Sequence, residues 1–194
     1  MKIVLVPLAE GCEELEAITI INLLRRAEID VITASLSEPT VKCSRGTFIV
    51  ADKSLDKIQD DEFDMIVLPG GLPGADYLND DQRIHKLLKK YNEKNKFIAA
   101  ICAAPKVLAS AGLLDNKKAT CYPGAVDESQ FENVSFTQAP VVEDNNVITS
   151  RGPGTAMDFA LFLIEKLAGK NKRDEVENGL KRTSSTETTL IASK

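Results

Sequence analysis

Residues 97–105 read FIAAICAAP, an apolar run that ends at Cys102 and continues into a proline. The pattern predicts a buried strand, a sharp turn at the cysteine and a helix that begins near Pro105, since proline suits the first helical turn. Free N–H groups at a helix start favour a thiolate, so we expect Cys102 to be reactive and its pKa to be lowered. An inert core cysteine explains the same residues equally well at this point.

The segments on either side of this stretch alternate between apolar strands and amphipathic helices. We predict strands over 2–8, 30–36 and 65–68, and helices over 13–26, 81–93 and 156–168. Short strands without a polar face are typical of a parallel sheet that is covered on both sides. The sequence therefore predicts an α/β fold, a doubly wound, mainly parallel sheet with helices on both faces.

The remaining segments complete a single domain. We predict a β-hairpin over 40–50 at the sheet edge, a strand over 118–121, a second hairpin over 141–149 and a charged helix over 172–180. Residues 1–182 are expected to form one α/β domain. Residues 183–194 are rich in Ser and Thr with little to bury, so we predict a flexible tail.

Composition narrows the classes of function. The 194 residues carry a net charge of −5 and no cluster of basic residues, so nucleic-acid binding is not expected. No apolar run approaches the roughly 20 residues that cross a bilayer and no signal-peptide pattern appears, so we expect a soluble, cytoplasmic protein without membrane contact. The four cysteines lack C-x-x-C spacing and are expected to be reduced, and a single histidine predicts no metal site. Nucleotide-binding glycine motifs are absent, so we expect no cofactor.

Four loops follow predicted strands and should meet at one edge of the sheet. They comprise residues 11–16, 69–74, 102–105 and 151–155. Gly70 and Gly71 allow close approach of the backbone, and their N–H groups, with that of Ala103, are candidates to hold an oxyanion beside Cys102. A tight turn explains the glycine pair equally well.

Three glutamates, Glu13, Glu14 and Glu16, crowd the start of the first helix, where carboxylates stabilise the helix dipole. One that turned inward beside Cys102 would be desolvated, its pKa would rise, and it could move protons. Helical spacing does not decide which of the three this is. His85 lies on a polar-faced helix and is a weak candidate for a catalytic base.

Five ordered motifs together carry a family resemblance: EGCEELE at 10–16, CSR at 43–45, LPGGLPG at 68–74, AICAAP at 100–105 and SRGPGT at 150–155. They closely resemble the DJ-1 family of the ThiJ/PfpI superfamily, over about residues 2–180. The resemblance implies a flavodoxin-like fold of the class I glutamine amidotransferase type, and a homodimer.

The resemblance also assigns roles within the site. It implies that Cys102 is the nucleophile, that Glu16 is the protonated glutamate beside it, and that Gly71 and Ala103 are the backbone donors near the sulfur. Arg45 matches a residue that reaches the site across the dimer. The position of a histidine near the cysteine in the Parkinson-disease protein matches Tyr122, and Ala103 stands where the peptidase branch carries histidine, so proteolysis lacks its base.

The function implied by the resemblance is a cofactor-free cysteine enzyme. Its substrates would be small α-oxoaldehydes such as methylglyoxal and glyoxal, or their glycation adducts with thiols and amines, so the activity would be of the glyoxalase or deglycase type. The alternative is an oxidative-stress sensor or chaperone-like protein that acts through oxidation of Cys102. An inert α/β protein remains as a third interpretation.

Overall fold

The computed structural model describes residues 2–58 and 61–182, so the predicted tail at 183–194 lies outside the described residues. The strands are β1 (Ile3–Leu8), β2 (Asp30–Ser35), β3 (Thr40–Lys42), β4 (Phe48–Val50), β5 (Lys53–Ser54), β6 (Met65–Leu68), β7 (Phe97–Ile101), β8 (Lys118–Thr120), β9 (Ser135–Thr137), β10 (Val141–Asp144) and β11 (Val147–Ser150). The helices are α1 (Glu14–Arg26), α2 (Gly74–Asp80), α3 (Gln82–Glu93), α4 (Pro105–Ser110), α5 (Ala156–Ala168) and α6 (Lys170–Leu180). Within these ranges no helix is both long and apolar enough to span a membrane.

The central sheet has the strand order β10-β11-β7-β6-β1-β2-β5. All neighbouring strands are parallel except β10, which pairs with β11 in antiparallel orientation. The predicted doubly wound, mainly parallel sheet is confirmed. The chain passes from β1 to β2 on one side and later to β6 on the other side, so a crevice opens at the carboxyl ends of β1 and β6.

Helices cover both faces of the sheet because successive side chains of each strand point in opposite directions. Val4, Val6 and Leu8 of β1 belong to one core cluster, with side chains of α1, α5 and α6. Leu5 belongs to the other cluster, with side chains of α2, α3 and α4. Both faces of β1 are thus buried, which accounts for its continuous apolar sequence.

Some smaller elements differ from the sequence-based expectation. The hairpin at 40–50 forms, but β3 and β4 make a separate two-stranded sheet, and the edges of the main sheet are β5 and β10. The predicted strand at 118–121 corresponds to β8, which pairs with the unpredicted β9 in another small sheet. Helix α2 was not predicted because it has seven residues, GADYLND, and no side-chain cap at its start.

Candidate active site

Cys102 occupies the turn between β7 and α4, as the sequence predicted. Its φ of 63° lies in the left-handed region, which is uncommon for a residue other than glycine. Two backbone hydrogen bonds hold this conformation: the Cys102 N–H donates to the Ser150 carbonyl at 2.9 Å, and the Tyr122 N–H donates to the Cys102 carbonyl at 2.8 Å. Pro105 begins α4, as expected. The end of β11 and the segment after β8 therefore maintain a strained backbone at the cysteine.

The first two glutamates at the start of α1 have structural contacts. The side chain of Glu13 caps the helix by accepting from the Glu16 N–H at 2.8 Å. Glu14 accepts from the N–H groups of Arg45 at 3.0 Å and Thr47 at 3.3 Å in the hairpin loop. Desolvation opposes ionisation of Glu14, but hydrogen bonds from the backbone outweigh it and lower its pKa to about 2. Glu14 therefore attaches the hairpin to the start of α1.

Glu16 is the glutamate that turns inward. Its side chain is fully buried, and Oε2 accepts from the Gly70 N–H at 2.9 Å. Burial raises the pKa of Glu16 to about 7, although hydrogen bonds from the Cys102 thiol and the Gly70 N–H act in the opposite direction. Oε1 is buried with no hydrogen-bond partner of its own among residues 2–58 and 61–182. The choice that helical spacing left open thus falls on Glu16.

The two glycines after β6 contribute in different ways. A Cβ at Gly70 would lie 2.6 Å from Cys102 Cβ and 2.7 Å from Glu16 Oε2, so only glycine allows these side chains to approach here. The Gly70 N–H is engaged by Glu16 and is not free for an oxyanion, which differs from the expectation. Gly71 has a φ of 91°, and its N–H group approaches the Cys102 sulfur.

The electrostatics of Cys102 correct the sequence-based prediction of a lowered pKa. Burial, followed by the Glu16 carboxylate, raises the pKa of Cys102 to about 12. The N–H groups of Gly71 and Ala103 lower it, but they do not overcome those two effects. Two adjacent negative charges are unfavourable in a buried crevice, so Cys102 and Glu16 carry at most one negative charge between them at neutral pH. The site is a thiol–carboxyl pair with two backbone donors.

The other predicted residues lie around this pair or away from it. The Tyr122 N–H donates to the Cys102 carbonyl. The Tyr122 side chain is 51% exposed, and its ring packs against Gly152. Arg45 is exposed, and its backbone contacts Glu14 of the same chain, so its reach across a dimer stays a prediction. His85 Nε2 lies 2.7 Å from the Asn79 carbonyl oxygen, at the junction of α2 and α3. Residues 2–58 and 61–182 contain no cluster of three or more His, Cys, Asp or Glu residues suited to a metal ion.

One supporting contact was missed by sequence reasoning. Thr155 Oγ1 lies 2.7 Å from Ser150 Oγ and accepts from the Gly152 N–H at 3.1 Å. This hydroxyl closes the loop after β11 and so fixes Ser150, whose carbonyl holds the Cys102 N–H. The SRGPGT motif marks the loop, but its letters do not reveal that the threonine side chain folds back on it.

A strained cysteine after a central parallel strand, beside a buried carboxyl from the first helix, defines a class of α/β proteins with a thiol–carboxyl site at the switch point of the sheet. The DJ-1/PfpI family profile matches residues 2–166, and the chain belongs to this family. It is similar to protein dj-1beta of Drosophila melanogaster, with 46% identity over 181 residues that cover 92% of this chain and 96% of the relative.

The crystal structure of Drosophila melanogaster DJ-1beta superimposes with a TM-score of 0.89 and 45% identity, covering 94% of this chain and 99% of that chain. A more distant relative is the Caenorhabditis elegans protein named glutathione-independent glyoxalase DJR-1.2. It is 36% identical over 167 residues, which cover 86% of this chain and 89% of that protein. The flavodoxin-like fold of the class I glutamine amidotransferase type is therefore shown by relatives as well as by the strand order.

Proposed function

We propose that this chain is a cofactor-free cysteine enzyme that converts small α-oxoaldehydes, such as methylglyoxal and glyoxal, or their glycation adducts, into hydroxyacids. The observation that carries the proposal is that Cys102 and the buried Glu16 carboxyl converge on Gly70, next to the N–H groups of Gly71 and Ala103. The glyoxalase name of the C. elegans relative supports the substrate class.

Each group has a step in this reaction. Cys102 sulfur adds to the aldehyde carbon of methylglyoxal while the thiol proton passes through Glu16 to the aldehyde oxygen, which gives a hemithioacetal. The Gly71 and Ala103 N–H groups stabilise the developing oxyanion, and one such donor contributes a factor of about 10²–10³ in rate. Glu16 then takes the proton from the aldehyde carbon and returns it to the ketone carbon, while the hydroxyl proton of the hemithioacetal passes to the ketone oxygen, which produces the thioester of lactate. Water hydrolyses the thioester to lactate and restores the thiol.

The electrostatics of Glu16 suit this proton transfer. A group that must accept a proton and return it works best when its pKa lies near the working pH. Burial raises the Glu16 pKa to about 7, so both forms are populated at neutral pH. The high pKa of Cys102 makes direct ionisation unfavourable, and transfer of its proton to Glu16 removes that obstacle.

The test is lactate formation from methylglyoxal in a buffer without added thiol. Wild-type protein should form lactate, and Cys102→Ala should reduce the rate to that of buffer. Cys121→Ala is the matched control, because Cys121 is a buried free cysteine outside the thiol–carboxyl pair, and it should keep the wild-type rate within about threefold. Unchanged turnover in Cys102→Ala would refute the proposal.

We also propose a homodimer formed by α1 and the β3–β4 hairpin. Leu15 and Ile18 of α1 and Phe48 and Val50 of β4 are exposed apolar side chains on elements that Glu14 joins. Leu15→Glu should produce monomers in sedimentation equilibrium, whereas Tyr77→Ser, which removes an exposed side chain from α2, should leave the dimer intact. A monomeric wild type would refute this interface.

The cytoplasmic location that the sequence predicts stays a prediction.

A second candidate function is oxidation sensing by Cys102. The same N–H groups that reach its sulfur could hold the oxygens of a sulfinate, and protonated Glu16 could donate to one of them. Peptide mapping after mild peroxide treatment should then find oxidation at Cys102 before the other three cysteines. Equal oxidation of all four would remove the basis for this function.

A further inference from the structure

A second pair of sulfur atoms lies outside the thiol–carboxyl pair. Cys12 Sγ and Cys43 Sγ are 3.6 Å apart although the residues are 31 positions apart in sequence. Cys12 follows β1, and Cys43 follows β3 in the hairpin. Both side chains are buried, with 0% and 4% of their surface exposed, and both are free thiols.

The backbone holds the two cysteines side by side. The Gly11 N–H donates to the Lys42 carbonyl at 2.8 Å, and the Ser44 N–H donates to the Cys12 carbonyl at 2.8 Å. Gly11 and Lys42 directly precede the two cysteines, and Ser44 directly follows Cys43. The two bonds therefore fix the two chain segments beside each other at the sulfur pair. A disulfide has an S–S bond of about 2.05 Å, so the sulfur atoms need to approach by about 1.5 Å, which side-chain rotation can supply.

We propose that Cys12 and Cys43 form a reversible intramolecular disulfide when the protein meets a peroxide. Cys43, the less enclosed of the two, loses its proton and attacks hydrogen peroxide, which gives a sulfenic acid and water. The Cys12 sulfur then attacks the sulfenic sulfur, and the second water leaves. The two thiols lose two electrons and two protons, and one peroxide is reduced to two waters.

The surroundings make this oxidation slow compared with that of an exposed thiol. Burial, together with the neighbouring Cys43, raises the pKa of Cys12, and burial raises the pKa of Cys43. The carboxylates of Glu13 and Glu14 act in the same direction on both thiols. The pair therefore stays reduced under brief oxidant exposure and responds to sustained exposure.

The bond would change how the hairpin is attached. In the reduced protein, Glu14 and two backbone contacts hold the hairpin loop against the start of α1. A disulfide adds a covalent link at the same junction, beside the helix that carries Glu16. The oxidised protein thus has a hairpin fixed to α1, and this consequence does not depend on the proposed glyoxalase activity.

Peptide mapping tests the proposal in a Cys102→Ser background, which removes the thiol of the candidate active site. After hours in millimolar hydrogen peroxide, the remaining thiols are alkylated and the protein is digested with trypsin without reduction. The digest should join peptide 3–25, which contains Cys12, to peptide 43–45, and dithiothreitol should separate them. Additional Cys12→Ser or Cys43→Ser substitutions should each abolish the linked peptide.

Thermal unfolding provides the second measurement. Closing this loop should raise the Tm of the oxidised protein by about 5–10 °C over the reduced protein, and Cys12→Ser should show no such shift. The mapping needs only the Cys102→Ser protein, so it decides the matter even where a further substitution impairs folding. Oxidation of Cys121 while peptides 3–25 and 43–45 remain unlinked would overturn the proposal.

Discussion

Gly70 lies in direct contact with both Cys102 and Glu16. Its N–H donates to Glu16 Oε2 at 2.9 Å, and a Cβ on Gly70 would lie 2.6 Å from the Cβ of Cys102. The loop after β6 therefore sets the distance between the cysteine from β7 and the carboxyl from α1. No flexible side chain intervenes, so the arrangement depends on the backbone of this loop.

Gly70→Ala should displace the thiol–carboxyl pair. The added methyl group would also lie 2.9 Å from the Ile101 carbonyl, so backbone atoms have to move. We expect a loss of about 1–3 kcal/mol in the free energy of unfolding, measured by urea denaturation, and at least a tenfold loss of methylglyoxal turnover. Gly179→Ala is the matched control, since a Cβ there meets open space in α6; it should leave turnover unchanged. Full activity in Gly70→Ala would contradict the assigned geometry.

Glu16→Gln should remove a specific pH dependence of stability. The pKa of Glu16 is about 7 in the folded protein against 4.5 for an ordinary glutamate, so the folded state binds more protons between these values. Its stabilising contribution is therefore complete below pH 4.5 and is lost as the pH rises to about 7. The wild type should lose about 3 kcal/mol relative to Glu16→Gln over this range.

The comparison is made by urea denaturation of both proteins at several pH values from 4 to 8, because groups common to both cancel in the difference. Glu10→Gln, which alters an exposed glutamate in the loop that precedes α1, should follow the wild type. A difference between wild type and Glu16→Gln that does not change with pH would show that Glu16 ionises with an ordinary pKa.

Tyr91→Phe should lower stability without affecting turnover. The Tyr91 side chain is fully buried, and its hydroxyl accepts from the Phe63 N–H at 2.7 Å and donates to the Asp61 carbonyl at 3.4 Å. Phenylalanine leaves the Phe63 N–H without this partner, at a cost of about 1–3 kcal/mol. Calorimetry should show a lower Tm, while Tyr77→Phe, at a tyrosine that is 48% exposed, should leave the Tm unchanged. Equal melting of both variants would refute the role of the hydroxyl.

The sequence predicted the central strands because both faces of them are buried. β1, β6 and β7 consist almost entirely of apolar residues, and this pattern depends little on their partners. β5 has two residues and β9 has three, so neither is long enough to show a period. Their existence depends on pairing with strands distant in sequence.

Part of the site could be predicted from residues that are neighbours in sequence. The turn at Cys102 follows from local residues, whereas Glu14 and Glu16 are distinguished by contacts with residues distant in sequence, which helical spacing does not contain. The expected lowering of the Cys102 pKa considered the helix start alone. Burial and Glu16, both products of the tertiary fold, reverse its direction.

The central claim is that Cys102 forms a covalent bond to the substrate and that Glu16 moves the proton that resolves it. The most direct test is peptide mass spectrometry on samples quenched in acid during methylglyoxal turnover by wild type and Glu16→Gln. We expect an adduct with the mass of one methylglyoxal on the Cys102 peptide in wild type, and less adduct and less lactate in Glu16→Gln, where the side chain can neither take the thiol proton nor move the carbon-bound proton. Lactate production by wild type and Glu16→Gln at equal rates, with no adduct on the Cys102 peptide in either, would contradict the account.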